Sequence, residues 1–372
     1  MKKYVFVVGF SEFASRMNFM ALSMLLLSFP HAEWYLMAYF LVRQIGGIIT
    51  SFISVSIVDK LDRRKLMIWT DGINIFAVLL PIIHYHPISI CITAFILGCT
   101  NQLFYICYSS SIPDMFGNDE APKINALVVR IASIVSISGF LIGGWLTQFF
   151  GYQPVILFDS ITFLIATLYL ALMRWDSKPK IQKYTVFRSG LFSILKQNKN
   201  IALIVLTSLL YTLAVSAYNY SLPFLASTFK LETMTNGLFW ATAAVGMLIG
   251  TLFINKQDSL LKYFIFLFFF AVSIILVFEV SGQLWIVIFL FVSGTFEGMS
   301  QVTVNTILQK TSSHERGKVF ALQGLFSRIG FFIGFLICPL IVQTTSLSTN
   351  VIFLNGTLIG WLIIVMIITL EK

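Results

Sequence analysis

The chain has 372 residues, of which 58% are hydrophobic and 11% are charged, and its mean hydropathy is +0.88. Soluble domains contain roughly 25% charged residues, so this composition excludes an ordinary soluble fold. The formal net charge of +9 does not indicate a nucleic-acid-binding protein, because the sequence offers no basic soluble face with aromatic residues to read bases.

Apolar stretches of spanning length follow one another along the whole chain. A helix needs roughly 20 apolar residues to cross a bilayer, and twelve segments meet this need. They lie near residues 4–28, 34–57, 66–84, 88–111, 124–149, 153–173, 199–226, 235–254, 261–280, 284–307, 318–343 and 349–369. The sequence therefore predicts an all-α polytopic membrane protein with 12 transmembrane helices.

The basic residues predict the orientation of these spans, because short cytoplasmic loops are enriched in Lys and Arg. With both termini placed in the cytoplasm, only Lys230 of the 25 Lys and Arg residues falls in an outer loop. Four arginines lie within predicted spans instead, namely Arg16, Arg43, Arg130 and Arg328. We therefore expect both termini to be cytoplasmic.

The second half of the chain repeats the first. Residues 112–142 align without a gap with residues 307–337, and the identical pairs include Gly139 with Gly334. Parallel repeats of this kind occur in transporters, whose substrate site lies near the midplane between the halves.

We therefore predict two pseudo-symmetric six-helix bundles. The N-terminal bundle comprises residues 1–173, a basic cytoplasmic linker residues 174–198, and the C-terminal bundle residues 199–372.

The loop between the second and third spans contains the run VDKLDRRK at residues 58–65. This run resembles the loop signature of the major facilitator superfamily, in the form typical of its macrolide-efflux and siderophore-exporter branch. A carboxylate can face the positive end of a helix while arginines bind acidic partners, so we expect Asp59, Arg63, Arg64 and Asp114 to form a cytoplasmic gate. The alternative is a charged loop that only follows the positive-inside rule.

The fifth span contains Gly139, Gly143 and Gly144 in an arrangement similar to the antiporter motif of the same superfamily. Small residues allow two membrane helices to approach closely. The resemblance implies antiport, and the alternative is a glycine-rich helix contact without directional meaning.

Five ionisable side chains lie deep in predicted spans: Glu12, Arg16, Arg43, Glu297 and Arg328. A charge at the bilayer centre costs roughly 2.5–3.5 kcal/mol, so we expect these groups to form one acid–base cluster in each half. Glu12 and Glu297 are the predicted proton-coupling carboxyls, and the alternative is a permanent ion pair that aligns helices. Asp71, Arg130, Asp159 and Glu279 lie nearer to span ends, where we expect water or snorkelling to reach them, and a structural role is the favoured interpretation.

The resemblance also implies a cavity lined by the first and fourth helices of each half. Aromatic rings with a few polar groups suit a bulky amphipathic ligand, although aromatic residues are also ordinary packing residues in membrane helices. The predicted cavity residues are Asn18, Asn101, Gln102, Tyr105, Tyr108, Tyr211, Tyr218 and Gln301.

Other chemistries lack their motifs. The sequence has no phosphate-binding loop for ATP and no hydrolase signature, so we expect no enzyme activity and no cofactor, with a proton gradient as the energy source. His84 and His86 could bind a metal ion, but a solvated turn is the favoured interpretation and no metal site is predicted.

These patterns together predict a secondary active transporter for proton-coupled efflux of a small amphipathic compound, such as a drug or a siderophore-like metabolite. The alternatives are a nutrient importer working by symport and a non-transporting receptor or scaffold. The expected partners are substrate, protons and the lipid bilayer, and we expect a monomer in the bacterial cell membrane.

Overall fold

The computed structural model describes residues 2–58, 61–117, 120–173, 198–252, 259–309 and 313–370, and within these ranges the regular structure is entirely helical. The first half contains α1 to α7: Lys2–Leu26, Ala32–Val58, Arg63–Ala77, Leu80–Ile83, Pro87–Phe116, Ala121–Phe150 and Tyr152–Leu172. The second half contains α8 to α13: Lys199–Ala226, Glu232–Gly250, Leu260–Glu279, Gln283–Gln309, Ser313–Thr344 and Leu347–Leu370.

Each of the twelve predicted spans coincides with a long helix, with the third span divided between α3 and α4, so the all-α polytopic fold is confirmed. Ten spans in the described ranges are long and apolar enough to cross a membrane. The remaining two long helices are more polar, because α1 carries the Glu12 and Arg16 charges and α9 begins with the polar run 232–237.

The third span is interrupted, contrary to the continuous segment predicted over residues 66–84. α3 ends at Ala77 and the four-residue helix α4 begins at Leu80. Pro81 explains the interruption, since a proline ring clashes with the carbonyl group four residues earlier and has no N–H to donate. That carbonyl belongs to Ala77, and it accepts a hydrogen bond of 2.8 Å from Thr93 Oγ1 of α5 instead.

Two helix starts, those of α3 and α8, are stabilised by polar side chains. Asp62 accepts hydrogen bonds from the backbone N–H groups of Arg64 and Lys65 and so caps α3. Asn198 caps α8 in the same way. A capping carboxylate or amide satisfies N–H groups that have no partner within the helix.

The chain divides into two compact units. Unit 1 comprises Met1–Lys183 and Phe229–Leu238, and unit 2 comprises Tyr184–Thr228 and Phe239–Lys372. In unit 1, α1 packs on α6 and α7, α2 packs on α5, and α3 packs on α5 and α7. In unit 2, α8 packs on α12 and α13, and α10 packs on α11 and α13. The predicted linker falls on residues 174–197, which lie outside the described residues.

Candidate functional site

Unit 2 contains a hydrogen-bonded carboxyl halfway along its helices. Tyr211 of α8 donates its hydroxyl proton to Glu297 Oε1 of α11. Gln301, one helical turn beyond Glu297, donates through Nε2 to the Tyr211 hydroxyl oxygen at 3.4 Å. Glu297 and Tyr211 both lie near the midpoints of their helices, and the proton-coupling role of Glu297 stays a prediction.

Two tyrosines of α8, one of them bonded to this carboxyl group, pack against further aromatic rings. Tyr211 is packed edge-to-face on Phe270 of α10 with ring centroids 5.5 Å apart. Tyr218, two turns further along α8, packs on Trp240 of α9 at 5.7 Å. Both tyrosines are buried. Glu297 therefore lies in a largely apolar setting whose polar groups are phenols and an amide, neutral groups that can both donate and accept hydrogen bonds.

Two of the three predicted intramembrane charges of unit 1, Glu12 and Arg16, are in contact on α1. Arg16 Nη2 donates to Glu12 Oε1 at 2.8 Å, and both side chains keep more than a third of their surface exposed, 42% for Arg16 and 36% for Glu12. Arg43 of α2 places its guanidinium carbon 5.7 Å from the ring centroid of Phe19, within the range of a cation–π contact. Arg328, predicted for the corresponding cluster of the second half, lies partly buried on α12.

A buried carboxyl lies between α1 and α7, and its hydrogen-bond partners could not be identified from the sequence alone. Asp159 of α7 is completely buried. Its two oxygens accept hydrogen bonds from Ser15 Oγ at 3.0 Å and from Asn18 Nδ2 at 2.7 Å. The expectation that water reaches Asp159 is wrong, because its helix face is turned toward α1. The same expectation is wrong for Asp71, which is 4% exposed on α3.

The described part of the predicted cytoplasmic gate joins the ends of three helices. Arg63 of α3 donates to the Ser110 carbonyl oxygen at 3.1 Å and to Asp114 Oδ2 at 3.2 Å, both on α5. Arg64 donates through Nε to the Leu170 carbonyl at 3.1 Å and also binds the next carbonyl at the end of α7. Asp59, the remaining predicted member of the gate, lies outside the described residues.

The predicted packing glycines of α6 lie at close helix contacts within unit 1. A Cβ added at Gly139 would lie 2.7 Å from Arg16 Cβ of α1, and one added at Gly143 would lie 2.6 Å from Met17 Cα. A Cβ at Gly144 would lie 2.6 Å from the carbonyl oxygen of Thr233, at the start of α9. The close approach expected of these glycines is therefore present, and their role in antiport stays a prediction.

The other predicted cavity residues have varied environments. Asn101 accepts a hydrogen bond from Asn74 of α3 at 3.2 Å, and Tyr108 is packed inside unit 1 against Tyr4, 6.0 Å between ring centroids. Tyr105 is 65% exposed, and Gln102 is partly buried. Their assignment to a substrate cavity stays a prediction.

Comparison with known proteins agrees with this architecture. The putative bacilysin exporter BacE of Bacillus subtilis (strain 168) is 23% identical over 357 residues, which cover 91% of this chain and 89% of that protein. A TsgA homologue of Buchnera aphidicola subsp. Acyrthosiphon pisum (strain APS) is 24% identical over 321 residues, covering 83% of this chain and 80% of the homologue.

The fold is similar to the crystal structure of the nucleoside transporter NupG, with a TM-score of 0.79 at 12% identity over 100% of this chain and 99% of that chain. A family model described as Major Facilitator Superfamily matches residues 4–335. Because this match extends over most of the chain and the fold agrees with it, the chain belongs to the Major Facilitator Superfamily and is a membrane transporter of that type.

Proposed function

We propose that this transporter exports a small amphipathic compound across the bacterial cell membrane in exchange for protons. The observation that carries the proposal is Glu297, a carboxyl group near mid-span whose hydrogen bond comes from the neutral phenol of Tyr211. A buried carboxyl can change its protonation state when its surroundings change, because burial favours the neutral acid and hydrogen bonds favour the ionised form.

The proposed coupling cycle uses this property. With the carrier open to the outside, Glu297 takes up a proton. With the carrier open to the cytoplasm, Glu297 loses that proton, and the compound binds among the neighbouring aromatic side chains. Tyr211 and Gln301 hold the carboxyl in place in both states, since each can donate or accept a hydrogen bond.

The direction of transport is proposed from the sequence relatives. BacE, similar to this chain over most of its length, is named as a putative exporter, and the run VDKLDRRK resembles the efflux branch of the superfamily. The fold is shared with the nucleoside transporter NupG, and the alternative, import by symport, stays open. The two directions give opposite results in vesicles of opposite sidedness.

The first test uses everted membrane vesicles, in which an exporter accumulates its substrate. The probes are ethidium and bacilysin, and the vesicles are energised by respiration. We expect the wild-type protein to accumulate a probe and a protonophore to abolish this accumulation. In the Glu297→Gln variant the accumulation ratio should fall at least about fivefold, the factor that corresponds to the lower end of typical coupling free energies.

The matched control is Glu279→Gln, the same substitution at an exposed glutamate at the end of α10, which should leave accumulation unchanged. Accumulation in right-side-out vesicles instead would establish import. Vesicles with and without the protein that behave alike toward both probes, together with a silent Glu297→Gln variant, would contradict proton-coupled export.

A further inference from the structure

Asp159 of unit 1 is a buried carboxyl that the coupling proposed at Glu297 does not use. It is completely buried between α7 and α1, and its two oxygens accept hydrogen bonds from the Ser15 hydroxyl and the Asn18 amide. Asp159 lies about two helical turns from the outer end of α7, at the same depth as Asn18 of α1. The carboxyl is therefore within the membrane and its bonded partners are neutral.

Ser15 and Asn18 suit both protonation states of a carboxyl group. A hydroxyl group can donate or accept, and an amide that rotates by half a turn exchanges its N–H donors for its carbonyl acceptor. In the present orientation Asn18 Oδ1 is buried without a hydrogen-bond partner. A protonated Asp159 would supply the missing donor to Oδ1 after such a rotation, whereas an arginine or lysine neighbour would only donate.

The adjoining helices carry further charged and titratable groups. Arg43 of α2 attracts the Asp159 carboxylate electrostatically, and Tyr39 of the same helix also interacts with it. Asp71 of α3 interacts electrostatically with Tyr4, near the inner end of α1. On α6, the Gly139 backbone faces Arg16, whose guanidinium binds Glu12.

Glu12 of α1 differs from Asp159 in the charge of its partner. Its carboxylate is bound by Arg16 at 2.8 Å, and both side chains are partly exposed. The hydrogen bonds to Asp159 come instead from an uncharged hydroxyl group and an uncharged amide.

We propose that Asp159 is a second proton-carrying site of this transporter, located in unit 1 and positioned by Ser15 and Asn18. The inference builds on the proposed proton coupling and adds to it a carboxyl on the sixth span. In each cycle the carboxyl O–H bond breaks and the proton passes to water on one side. The proton bonds to a water molecule there as hydronium. On the other side the carboxylate takes a proton from hydronium, which breaks an O–H bond of the hydronium, re-forms the carboxyl O–H bond and leaves water.

The test measures carboxyl protonation directly and needs no substrate. The protein in lipid bilayers is examined by infrared difference spectroscopy while the pH is stepped from about 9 to about 5, the range in which buried carboxyls are known to titrate. We expect a protonated-carboxyl C=O band to appear on acidification in the wild type and in Glu12→Gln. One component of this band should be lost in Asp159→Asn, which keeps the side-chain shape.

Two further variants identify the band if Asp159→Asn does not fold. Ser15→Ala and Asn18→Ala each remove one hydrogen bond, so the Asp159 C=O component should shift to higher wavenumber in at least one of them. Spectra of Asp159→Asn that superimpose on the wild type, or a band that neither alanine variant moves, would overturn the proposal.

This result is separable from the proposed function. If the wild-type protein transports neither probe in vesicles but its infrared spectrum contains the Asp159 component, export is contradicted and the proton site is supported. Normal coupled transport by the Asp159→Asn variant, in the vesicle assay described above, would count against the proton site and leave export standing.

Discussion

Tyr211 connects α8 to the carboxyl of α11, and its hydroxyl group is the direct donor to Glu297. The phenol also accepts from Gln301, so one hydroxyl group orders two polar side chains that would otherwise lie among apolar neighbours. An unpaired buried polar group is costly, which explains why these three side chains occur together.

Removing this hydroxyl group tests the arrangement. In Tyr211→Phe, Glu297 loses its donor while the aromatic ring and its packing on Phe270 remain. A hydrogen bond to a charged group contributes about 1.5–3 kcal/mol, so we expect uphill accumulation in everted vesicles to fall at least about tenfold.

The control is Tyr169→Phe, which loses a hydroxyl group on α7 but keeps the ring stacked on Tyr4. The role of Tyr211 would be refuted by equal accumulation in Tyr211→Phe and the wild type, measured at matched protein levels.

The residue types at these sites follow from the sequence, but their pairings do not. Glu297 stands out because a carboxylate in an apolar span needs a partner, and the same argument applies to Glu12, whose partner Arg16 lies four residues away on the same helix face. Asn18 and Asp159 are 141 residues apart. Their contact depends on which face of α1 packs on α7, and hydropathy carries no information about that choice.

At the level of helices, glycine positions decide how closely two spans approach. The Cβ of an alanine at position 143 would lie 2.6 Å from Met17 Cα and 2.9 Å from Met17 Cβ. Because these atoms belong to the backbone and the base of the side chain, α1 and α6 would have to separate.

Gly143→Ala should therefore lower the stability of the protein by about 1–3 kcal/mol, the usual effect of overpacking. The measurement is the thermal unfolding midpoint in detergent. Gly356→Ala is the matched control, because no atom lies within 4 Å of its added Cβ on α13, and alanine favours a helix over glycine by about 1 kcal/mol. An unfolding midpoint of Gly143→Ala equal to or higher than that of the wild type would refute the close contact between α1 and α6.

Helix boundaries were predictable where composition changes abruptly and less so within apolar runs. Asp62 before the basic run at the start of α3 is a recognisable N-cap signal, although its carboxylate was not assigned that role from the sequence. The break after Ala77 also has a local cause in Pro81. The hydrogen bond that replaces the lost helical one comes from Thr93 of α5, on another helix. That partner could not be identified from the local sequence.

For the whole molecule, the distribution of basic residues predicts the orientation in the membrane. The test uses a variant in which serine replaces the four natural cysteines. A single cysteine is then introduced by Ser281→Cys, in the exposed turn between α10 and α11, or by Asn198→Cys, directly before α8. A membrane-impermeant maleimide should label Ser281→Cys in intact cells, and Asn198→Cys only after permeabilisation. The reverse pattern would place both termini outside.

Repetition within the chain is visible at equivalent helices of the two units, each considered by itself. In unit 1, a Cβ at Gly98 of α5 would collide with the Arg43 carbonyl oxygen of α2. In unit 2, a Cβ at Gly294 of α11 would collide with the Ala243 carbonyl oxygen of α9. The fourth span therefore meets the second span of its unit backbone to backbone in both halves, a relation that the sequence repeat alone did not reveal.

These backbone contacts restrict how such a protein can diversify. Where a glycine of the fourth span lies against a neighbouring carbonyl oxygen, the Cβ of any other amino acid would collide with that oxygen, so a substitution there requires the two helices to move apart. Descendants of this chain that acquire a new cargo must do so through residues on the remaining helical faces, and the two glycine contacts should persist unchanged among them.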